Sequence, residues 1–444
     1  MVGGRAVAVA TAQQVRTSSA PPGRGNGLDT PTRLWLMLAT AVAAVLTVGL
    51  VTGFSLAGRE STASHTAQST EALYAEVQDL SYNLADANAT AATALLIGPE
   101  TPTQFTSRYD SDITQAEDLL AAASQRVTGD AYASNQLRSV AEQIPVYTGY
   151  IGQALADNRL GYPVAGAFLR QASLMLTGSL LVETGNVVHE QQAATNGGIG
   201  SASGFPLWVL VFGLLGIAVL WLVARRVADV SKRRINPGLL GATVVAIGLL
   251  GWSVFAFGGA GIESNSASID FTGISEAQSA ISQLSIAETY VALQQIDRGE
   301  DQGADATAAN SALAAAAPMN IDAAASSVAA VSTATNAYNA LDKCVKGAIT
   351  SATNGDYQGA ITEMVGTDTG AQKVGEGGCE PDAGALHADL LTIFDQSQAH
   401  FDQDMTSLAA QYAGSGALPV GIAFGVLGAA AAAYGVNRRL AEFR

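Results

Sequence analysis

The residue patterns that build catalytic and metal sites are missing from this chain. Its four histidines, His65, His189, His387 and His400, stand alone without an HExxH-type spacing. There is no GxSxG, Walker or dinucleotide-binding fingerprint, and the acidic segments carry no basic stripe that would bind nucleic acid. We therefore expect no enzymatic activity, no catalytic residue, no metal, no cofactor and no nucleic-acid partner.

Cysteine is almost absent as well, since only Cys344 and Cys379 occur. In an oxidising compartment a single pair of this kind forms one disulfide, and two free thiols are the alternative. The chain-entropy relation assigns a ring of this size a stabilisation of about 4 kcal/mol. No cysteine follows the first apolar run, so a lipoprotein anchor is not expected.

Charged residues are excluded from four apolar stretches, at 34–56, 205–224, 239–258 and 417–436. Each has about the 20 residues that a helix needs to cross a bilayer, which predicts a four-pass membrane protein. Ion and proton pathways place ionisable groups inside the bundle, so a transporter is not expected. The Gly421-x-x-x-Gly425 spacing permits close helix packing, or it reflects only the abundance of glycine in membrane helices.

The charges between these stretches are sorted by sign. Segments 1–33, 225–238 and 437–444 hold 12 Lys/Arg and 3 Asp/Glu, whereas 57–204 and 259–416 hold 10 and 35. Because short basic segments stay in the cytoplasm, both termini are predicted to be cytoplasmic and the two long segments to lie outside the plasma membrane. The inner loop carries the basic residues Arg225, Arg226, Lys232, Arg233 and Arg234.

The cytoplasmic segments are too small to act alone. Residues 1–33 lack apolar periodicity and are predicted to be disordered. The loop of 14 residues and the tail of 8 are far below the roughly 50 residues that an independent domain needs. Any intracellular effect is therefore expected to pass through a separate protein.

The first outside segment has helical composition and one apolar stripe. Residues of the stripe recur at a period near 3.5, namely Leu73, Val77, Leu80, Leu84, Ala87, Ala91 and Leu95. The stripe predicts one helix that continues from the first span to residue 97. Gly- and Pro-containing turns at 97–102, 128–130 and 158–163 then predict three more helices, the last over 164–192, and hence a four-helix bundle.

The second outside segment repeats this plan. A stripe of Ile274, Ile281, Leu284 and Val291 is followed by a turn at 298–301, helices over 304–317 and 322–353, and a turn at 354–356. The fourth helix begins at Tyr357, is interrupted by a Gly-rich excursion over 366–381 that carries Cys379, and resumes over 382–412. Residues 84–90 resemble 284–290, which favours an internal duplication with an offset of about 200 residues.

These patterns predict an all-α membrane protein with four transmembrane helices and two extracytoplasmic antiparallel four-helix bundles. The domains follow as 1–33 tail, 34–56 span, 57–204 bundle, 205–224 span, 225–238 loop, 239–258 span, 259–416 bundle with the Gly-rich insertion, 417–436 span and 437–444 tail. Net charges of −9 and −16 on the two outside segments predict a small or cation-screened interface between the bundles.

Two groups of polar residues are candidates for function. The first group lies beside the apolar stripes and either lines a small-molecule pocket or fixes helix register: Asn83, Asn88, Thr90, Glu288 and Thr289. The second group surrounds the turn at 158–163 and either anchors a protein partner or forms a plain interhelical turn: Asn158, Arg159, Tyr162 and Arg170.

The arrangement of bundles on continuous helices resembles the sensor modules of bacterial chemoreceptors and sensor kinases. Four spans, two outside bundles, a short basic inner loop and the stretch ADNRLGYPVAGAFLR at 156–170 are similar to the actinobacterial GlnX membrane proteins. That resemblance implies a GlnH-type solute-binding lipoprotein outside, which senses aspartate or glutamate, and a soluble PknG-type Ser/Thr kinase inside. The inner basic residues would then contact the kinase or anionic membrane lipid.

Three functions remain open from the sequence. The first is a non-enzymatic transmembrane signal transducer that links the lipoprotein to the kinase. The second is an envelope scaffold without a ligand-dependent state, and the third is direct small-molecule sensing by a helical bundle. A homo-oligomer is compatible with each of the three.

Overall fold

The computed structural model describes residues 30–127, 129–204, 206–231, 236–298, 302–318, 321, 328–367, 377–413 and 417–441. Within these residues every regular element is a helix. The first half contains α1 (Thr30–His65), α2 (Ala72–Ile97), α3 (Thr103–Arg126), α4 (Ala131–Arg159), α5 (Val164–Met175), α6 (Leu181–Ser203) and α7 (Leu207–Ser231). Short π-helical segments join α1 to α2 and α5 to α6 without a break, at Thr66–Glu71 and Leu176–Leu180.

The second half contains α8 (Pro237–Ile296), α9 (Gln302–Ala315), α10 (Val328–Thr353), α11 (Tyr357–Val365), α12 (Glu380–Ala413) and α13 (Ala417–Ala441). The all-helical fold class is confirmed. Residues 1–29 of the predicted tail, 322–327 of the predicted third helix and 368–376 of the Gly-rich excursion lie outside the described residues.

Four of these helices are long and apolar enough to cross a membrane: α1, α7, the first part of α8, and α13. They pack in a ring, in which α1 and α8 each contact both α7 and α13. Small apolar side chains such as Ala41, Val45 and Ala246 fill the ring, while Phe255 and Leu207 are exposed on its outside. These features support a multi-pass membrane protein.

Glycines bring α1 and α13 into backbone contact. A Cβ at Gly421 would lie 2.7 Å from the carbonyl oxygen of Gly49 and 2.9 Å from the Cα of Gly53. A Cβ at Gly49 would lie 2.9 Å from the Cα of Gly425. The close packing that the Gly421-x-x-x-Gly425 spacing permits is therefore present in the structure.

Turn residues end several helices where the sequence predicts, whereas the helix predicted over 164–192 continues to Ser203. Gly98 ends α2 with φ of 98°, a left-handed value that glycine adopts without strain, and Gly161 has φ of 71° in the turn before α5. Asp130 caps α4, because its carboxylate accepts hydrogen bonds from the N–H groups of Tyr132 and Ala133. Asp356 caps α11 in the same way by accepting from Gly359.

Above the apolar ring the helices form two groups. In the first, α2 and α4 each pack against α3 and α6; in the second, α8 packs against α9 and α12, and α10 packs against α9, α11 and α12. Both groups stand on long helices: α1 and α2 form one rod from Thr30 to Ile97, and α8 alone has 60 residues, or about 90 Å.

One hydrophobic cluster spans both groups, and another lies within the second group. Tyr74 of α2 contacts Phe271 of α8 with ring centroids 5.0 Å apart, and Phe271 contacts Phe401 of α12 at 5.8 Å. All three rings are buried in a single hydrophobic cluster. Net charge predicts a small or cation-screened interface. The structure shows a buried aromatic contact between the groups, and Arg108 and Arg170 pair with carboxyl groups across it.

Candidate functional site: the seam between the two helix groups

The seam is the contact between α2 and α8, which rise side by side from the membrane half of the molecule. Its contacts join residues about 200 positions apart: Tyr74 with Phe271, Asp79 with Gln278, and Asn88 with Thr289. The Gln278 Nε2 donates to Asp79 Oδ1 at 3.1 Å. Residues of α2 and α8 that are about 200 positions apart in the sequence therefore lie opposite each other along the seam.

Asn88 is the polar centre of the seam and is fully buried. Its Nδ2 donates to Ser173 Oγ on α5 at 3.0 Å and to Thr289 Oγ1 on α8 at 3.2 Å. Its Oδ1 accepts from the hydroxyl of Tyr147 on α4 at 3.3 Å. One amide thus joins four helices from both groups, as a buried polar residue that specifies register would do.

The other polar residues predicted to lie beside the apolar stripes make different contacts from those of Asn88. Asn83 is buried and its Nδ2 donates to the Asp79 carbonyl of its own helix at 2.7 Å. Thr90 is buried, and Thr289 also donates to the Ser285 carbonyl of α8 at 3.0 Å. Glu288 lines a charged cavity.

Three carboxyl groups and one guanidinium line this cavity, and a fourth carboxyl group, that of Asp112, lies against Asp86. We call the five side chains the carboxylate cluster: Asp86 of α2, Asp112 and Arg108 of α3, Glu288 of α8 and Glu380 of α12. Arg108 Nη2 lies 2.8 Å from Asp86 Oδ1, and its Nε donates to Asp86 Oδ2 at 3.1 Å. Arg108 Nη1 lies 3.5 Å from Glu380 Oε1. The cluster links both helix groups through four helices.

Burial dominates the electrostatics of the cluster. It raises the pKa of Glu288 to about 8, with Glu380 and Asp86 adding to the rise and Arg108 opposing it. Burial also raises the pKa of Asp112 to about 7, and the neighbouring Asp86 carboxyl adds to that rise. His387, on the wall of the same cavity, has its pKa lowered by burial and is neutral at pH 7.

Further buried carboxyl groups lie closer to the membrane along the seam. Glu71 is buried, accepts a hydrogen bond from Gln398 Nε2 of α12 at 2.9 Å, and has its pKa raised by burial to about 7. Burial likewise raises the pKa of Asp79 to about 6. On α8, burial and the neighbouring Asp404 raise the pKa of Asp270 to about 6.

A cleft of about 540 Å³ lies on the other side of the seam, between α2 and α6 of the first group and α8 of the second. Its lining is rich in hydroxyl and amide side chains, with Glu276 and His189 as the ionisable groups beside Tyr74. The volume falls within the roughly 300 to 1,000 Å³ of small-molecule sites. No lysine or arginine is among the lining residues that the structure describes.

The predicted partner-binding residues fall into two settings. Arg159 and Tyr162 are exposed in the turn before α5, and Asn158 Nδ2 donates to the Ala94 carbonyl at 3.4 Å. Leu160, between them, is 64% exposed. Arg170 instead points to the second group, where it forms ion pairs with Asp297 and, at 2.8 Å, with Asp305.

Next to the membrane half, polar contacts join three helices. Arg59 of α1 donates to the Ala202 carbonyl of α6 at 3.1 Å, and the Tyr412 hydroxyl of α12 donates to the same carbonyl at 2.6 Å. At the opposite end of α7, Arg225 lies over the ring of Trp221, 5.3 Å from its centroid, and Arg226 is exposed. Lys232, Arg233 and Arg234 lie outside the described residues.

The predicted disulfide between Cys344 and Cys379 is confirmed. It ties α10 to the residue that precedes α12, and the N–H of Cys379 also donates to the Glu363 carbonyl of α11 at 2.9 Å. Glu380 of the carboxylate cluster is the next residue. The crosslink therefore fixes the end of α12 that enters the cluster.

Together these features define a membrane protein whose described residues form only helices, and whose spanning helices continue into two packed helix groups. The family model described as an actinobacterial sensor domain matches residues 62–198, from the end of α1 through most of α6. The match covers less than a third of the chain, and over that part the chain is similar to actinobacterial sensors. No curated protein and no solved structure matches the chain.

Sequence reasoning missed Asp86, Arg108, Asp112 and Glu380 as a site. The available signal was Arg108, one of few basic residues in a strongly acidic segment. Its partners come from α2, α8 and α12 as well as α3, so their meeting depends on how the two groups pack.

Proposed function

We propose that this protein is a non-enzymatic transmembrane signal transducer with both helix groups outside the cell. The observation that carries the proposal is the unbroken rod from Thr30 to Ile97, which joins an apolar span to the region that matches a sensor domain. A shift of α2 against α8 would pass along both rods to the membrane by small sliding or rotation. The concentration of lysine and arginine in the short segments 1–33, 225–238 and 437–444 supports the extracytoplasmic side of both groups.

The two groups are then four-helix bundles that arose by duplication. The offset of about 200 residues across the seam supports this proposal, because two copies that pack about a pseudo-twofold axis contact each other through equivalent positions. The ring of spanning helices is also consistent with duplication, since α1 and α8, the first span of each half, both pack between α7 and α13.

Its partners, as the resemblance implies, are a solute-binding lipoprotein outside and a soluble Ser/Thr kinase inside. We propose the turn before α5 as the lipoprotein contact, because Arg159, Leu160 and Tyr162 are exposed there and arginine and tyrosine often anchor interfaces. Arg225 and Arg226 would contact the kinase or anionic lipid on the inner face.

Co-purification of the tagged full-length protein from membranes tests this relay. A solute-binding lipoprotein is expected to co-purify, in an amount that changes when aspartate or glutamate is added. The double variant Arg159→Ala and Tyr162→Ala should reduce its recovery at least tenfold, which corresponds to losing about 1.4 kcal/mol of binding free energy. The matched control, Tyr132→Ala and Arg138→Ala, removes an exposed tyrosine and arginine from α4 and should leave recovery unchanged.

Other outcomes would contradict the relay. Recovery of envelope-assembly proteins alone, unaffected by either amino acid, would support the scaffold function. Direct sensing is favoured by one observation, the cleft of about 540 Å³ beside the seam. A ligand-induced rise in the melting temperature of the purified protein without any partner would support that function.

The sidedness of the helix groups makes a separate prediction. Cysteine placed at the exposed Glu117 of α3 should react with a membrane-impermeant maleimide on intact cells. Cysteine at the exposed Asp229, near the end of α7, should react only after permeabilisation. Reaction in the reverse order would overturn the proposed orientation, and the native cysteines do not interfere because they are joined in a disulfide.

A further inference from the structure

The carboxylate cluster has more negative than positive groups. Arg108 pairs with Asp86 through two nitrogens, Nε and Nη2. Its third nitrogen, Nη1, lies 3.5 Å from Glu380 Oε1, which is a longer and weaker contact. Asp112 is buried, and its Oδ2 has no hydrogen-bond partner. A buried carboxylate oxygen without a donor is strongly unfavourable when charged.

The surroundings offer no other counter-charge. The groups that face Glu288 are Asp86 and Tyr82 from α2, Arg108 from α3, and Glu380 and His387 from α12. His387 is neutral and its Nε2 is buried without a partner. Asp112 faces Asp86 and Tyr82 of α2, Tyr147 of α4 and, on its own helix, Arg108. Arg108 is therefore the one cation among the described groups of the cluster.

Neither a metal nor an organic ligand fits this cavity. No group of three or more His, Cys, Asp or Glu among the described residues is arranged to hold a metal ion. The cavity volume of about 30 Å³ is sufficient for a water molecule and far below that of small-molecule sites. A proton is the positive charge that requires no additional space.

We propose that the carboxylate cluster is a proton-binding site through which this protein senses the acidity outside the cell. Protonation of Glu288 and Asp112 lets α2 and α3 pack against α8 and α12, and loss of the protons loosens that packing. This inference rests on the proposed function for the outside location of the site and for treating movement across the seam as the signal; proton binding itself does not depend on either partner.

The direction of the pH effect follows from the raised pKa values. The packed state holds protons near pH 7 that the separated, solvated carboxyl groups release at their ordinary values near 4. The stabilisation that these protons give to the packing is therefore complete below the ordinary carboxyl pKa values near 4. It decreases as the pH rises and is lost above about pH 8. Glu71 and Asp79 on the same seam change stability in the same direction.

Spin-label distances in the full-length protein in lipid nanodiscs test the site. Labels at Ala141→Cys on α4 and Asn339→Cys on α10 occupy exposed positions in different groups. Between pH 5.5 and 8.5 the distance distribution should shift to longer values, with a midpoint near pH 7 to 8. Each proton released changes the ratio of packed to loosened protein by up to about tenfold per pH unit.

Variants separate proton binding from a merely structural role. Glu288→Gln and Asp112→Asn mimic the protonated side chains, so each should retain part of the pH 5.5 distribution at pH 8.5, and the double variant should retain more of it than either single variant. The matched control Glu117→Gln removes an exposed carboxylate from α3 and should follow the wild-type protein. The proposal would be overturned if the wild-type distance distribution did not change with pH. It would also be overturned if the distance distributions of the variants shifted with pH as far as that of the wild type.

Two further comparisons complete the test. A shift that disappears on adding EDTA would overturn the proposal in favour of a bound metal ion. If distances follow pH while lipoprotein recovery never responds to a ligand, the proton site stands and the relay falls. If recovery responds to ligand while distances ignore pH, the relay stands and the proton site falls.

Discussion

Valine in place of Gly421 is expected to separate α1 from α13 and to prevent correct assembly of the four spans. The added Cβ would meet the Gly49 carbonyl oxygen at 2.7 Å and the Gly53 Cα at 2.9 Å, and both contacts are with backbone. No side chain can move aside to accept it. Since overpacking of an ordinary core costs about 1–3 kcal/mol, we expect a loss of stability at or above the upper end of that range.

The measurement is the fraction of folded protein recovered from membranes and its melting temperature in nanodiscs. Gly248→Val is the matched control, since Gly248 lies in the apolar part of α8 and a Cβ there has no atom within 4 Å. The control should assemble normally. Equal losses from both variants would show that valine itself, rather than the contact with Gly49, causes the defect.

The proposed transducer function gives this glycine contact a further role. Small residues let two backbones approach closely, and such a surface lacks the interdigitating side chains that would fix the height of one helix against the other. Because α1 continues into α2, a change at the seam reaches this contact without crossing a loop. Axial sliding of α1 past α13 is therefore the movement that this packing opposes least.

Local signals predicted much of the fold. Apolar runs of sufficient length located the four candidate spanning helices, and the only two cysteines in the chain predicted the disulfide. The turns at Gly98 and Gly161 were predicted because glycine and proline interrupt helices, and both glycines have positive φ values in the structure. Each of these features is encoded within one short segment or by one residue pair, so no knowledge of the packing was required.

The seam required packing information that one sequence does not contain. Asn88 and Thr289 were both flagged as polar residues beside apolar stripes, but their contact depends on the rotation of α2 against α8. Arg170 illustrates the same limit: it was predicted to contact a partner, and the structure pairs it with Asp297 and Asp305 across the two groups. Net charge was misleading because it averages over each segment, whereas the rings of Tyr74, Phe271 and Phe401 meet in a buried apolar contact.

Replacement of Asn88 by alanine is expected to destabilise the packing between the two groups by about 3 kcal/mol, since it leaves buried polar partners unsatisfied. The Tyr147 hydroxyl would lose its acceptor and Ser173 its amide partner, while Thr289 would lose the only hydrogen bond by which Asn88 reaches α8. Denaturant unfolding of the full-length protein in mild detergent, monitored by tyrosine and tryptophan fluorescence, measures the loss.

Asn83→Ala is the matched control for this experiment, because Asn83 is buried on the same helix but its amide bonds to the carbonyl of Asp79 one turn earlier. Its loss should cost about 1 kcal/mol or less. In a double-mutant cycle, Asn88→Ala and Thr289→Val should be non-additive, since the two side chains share a hydrogen bond. Additive losses would mean that this contact does not stabilise the seam, and that the coupling between the helix groups comes from other contacts such as the Tyr74–Phe271 pair, the carboxylate cluster and the Arg170 ion pairs.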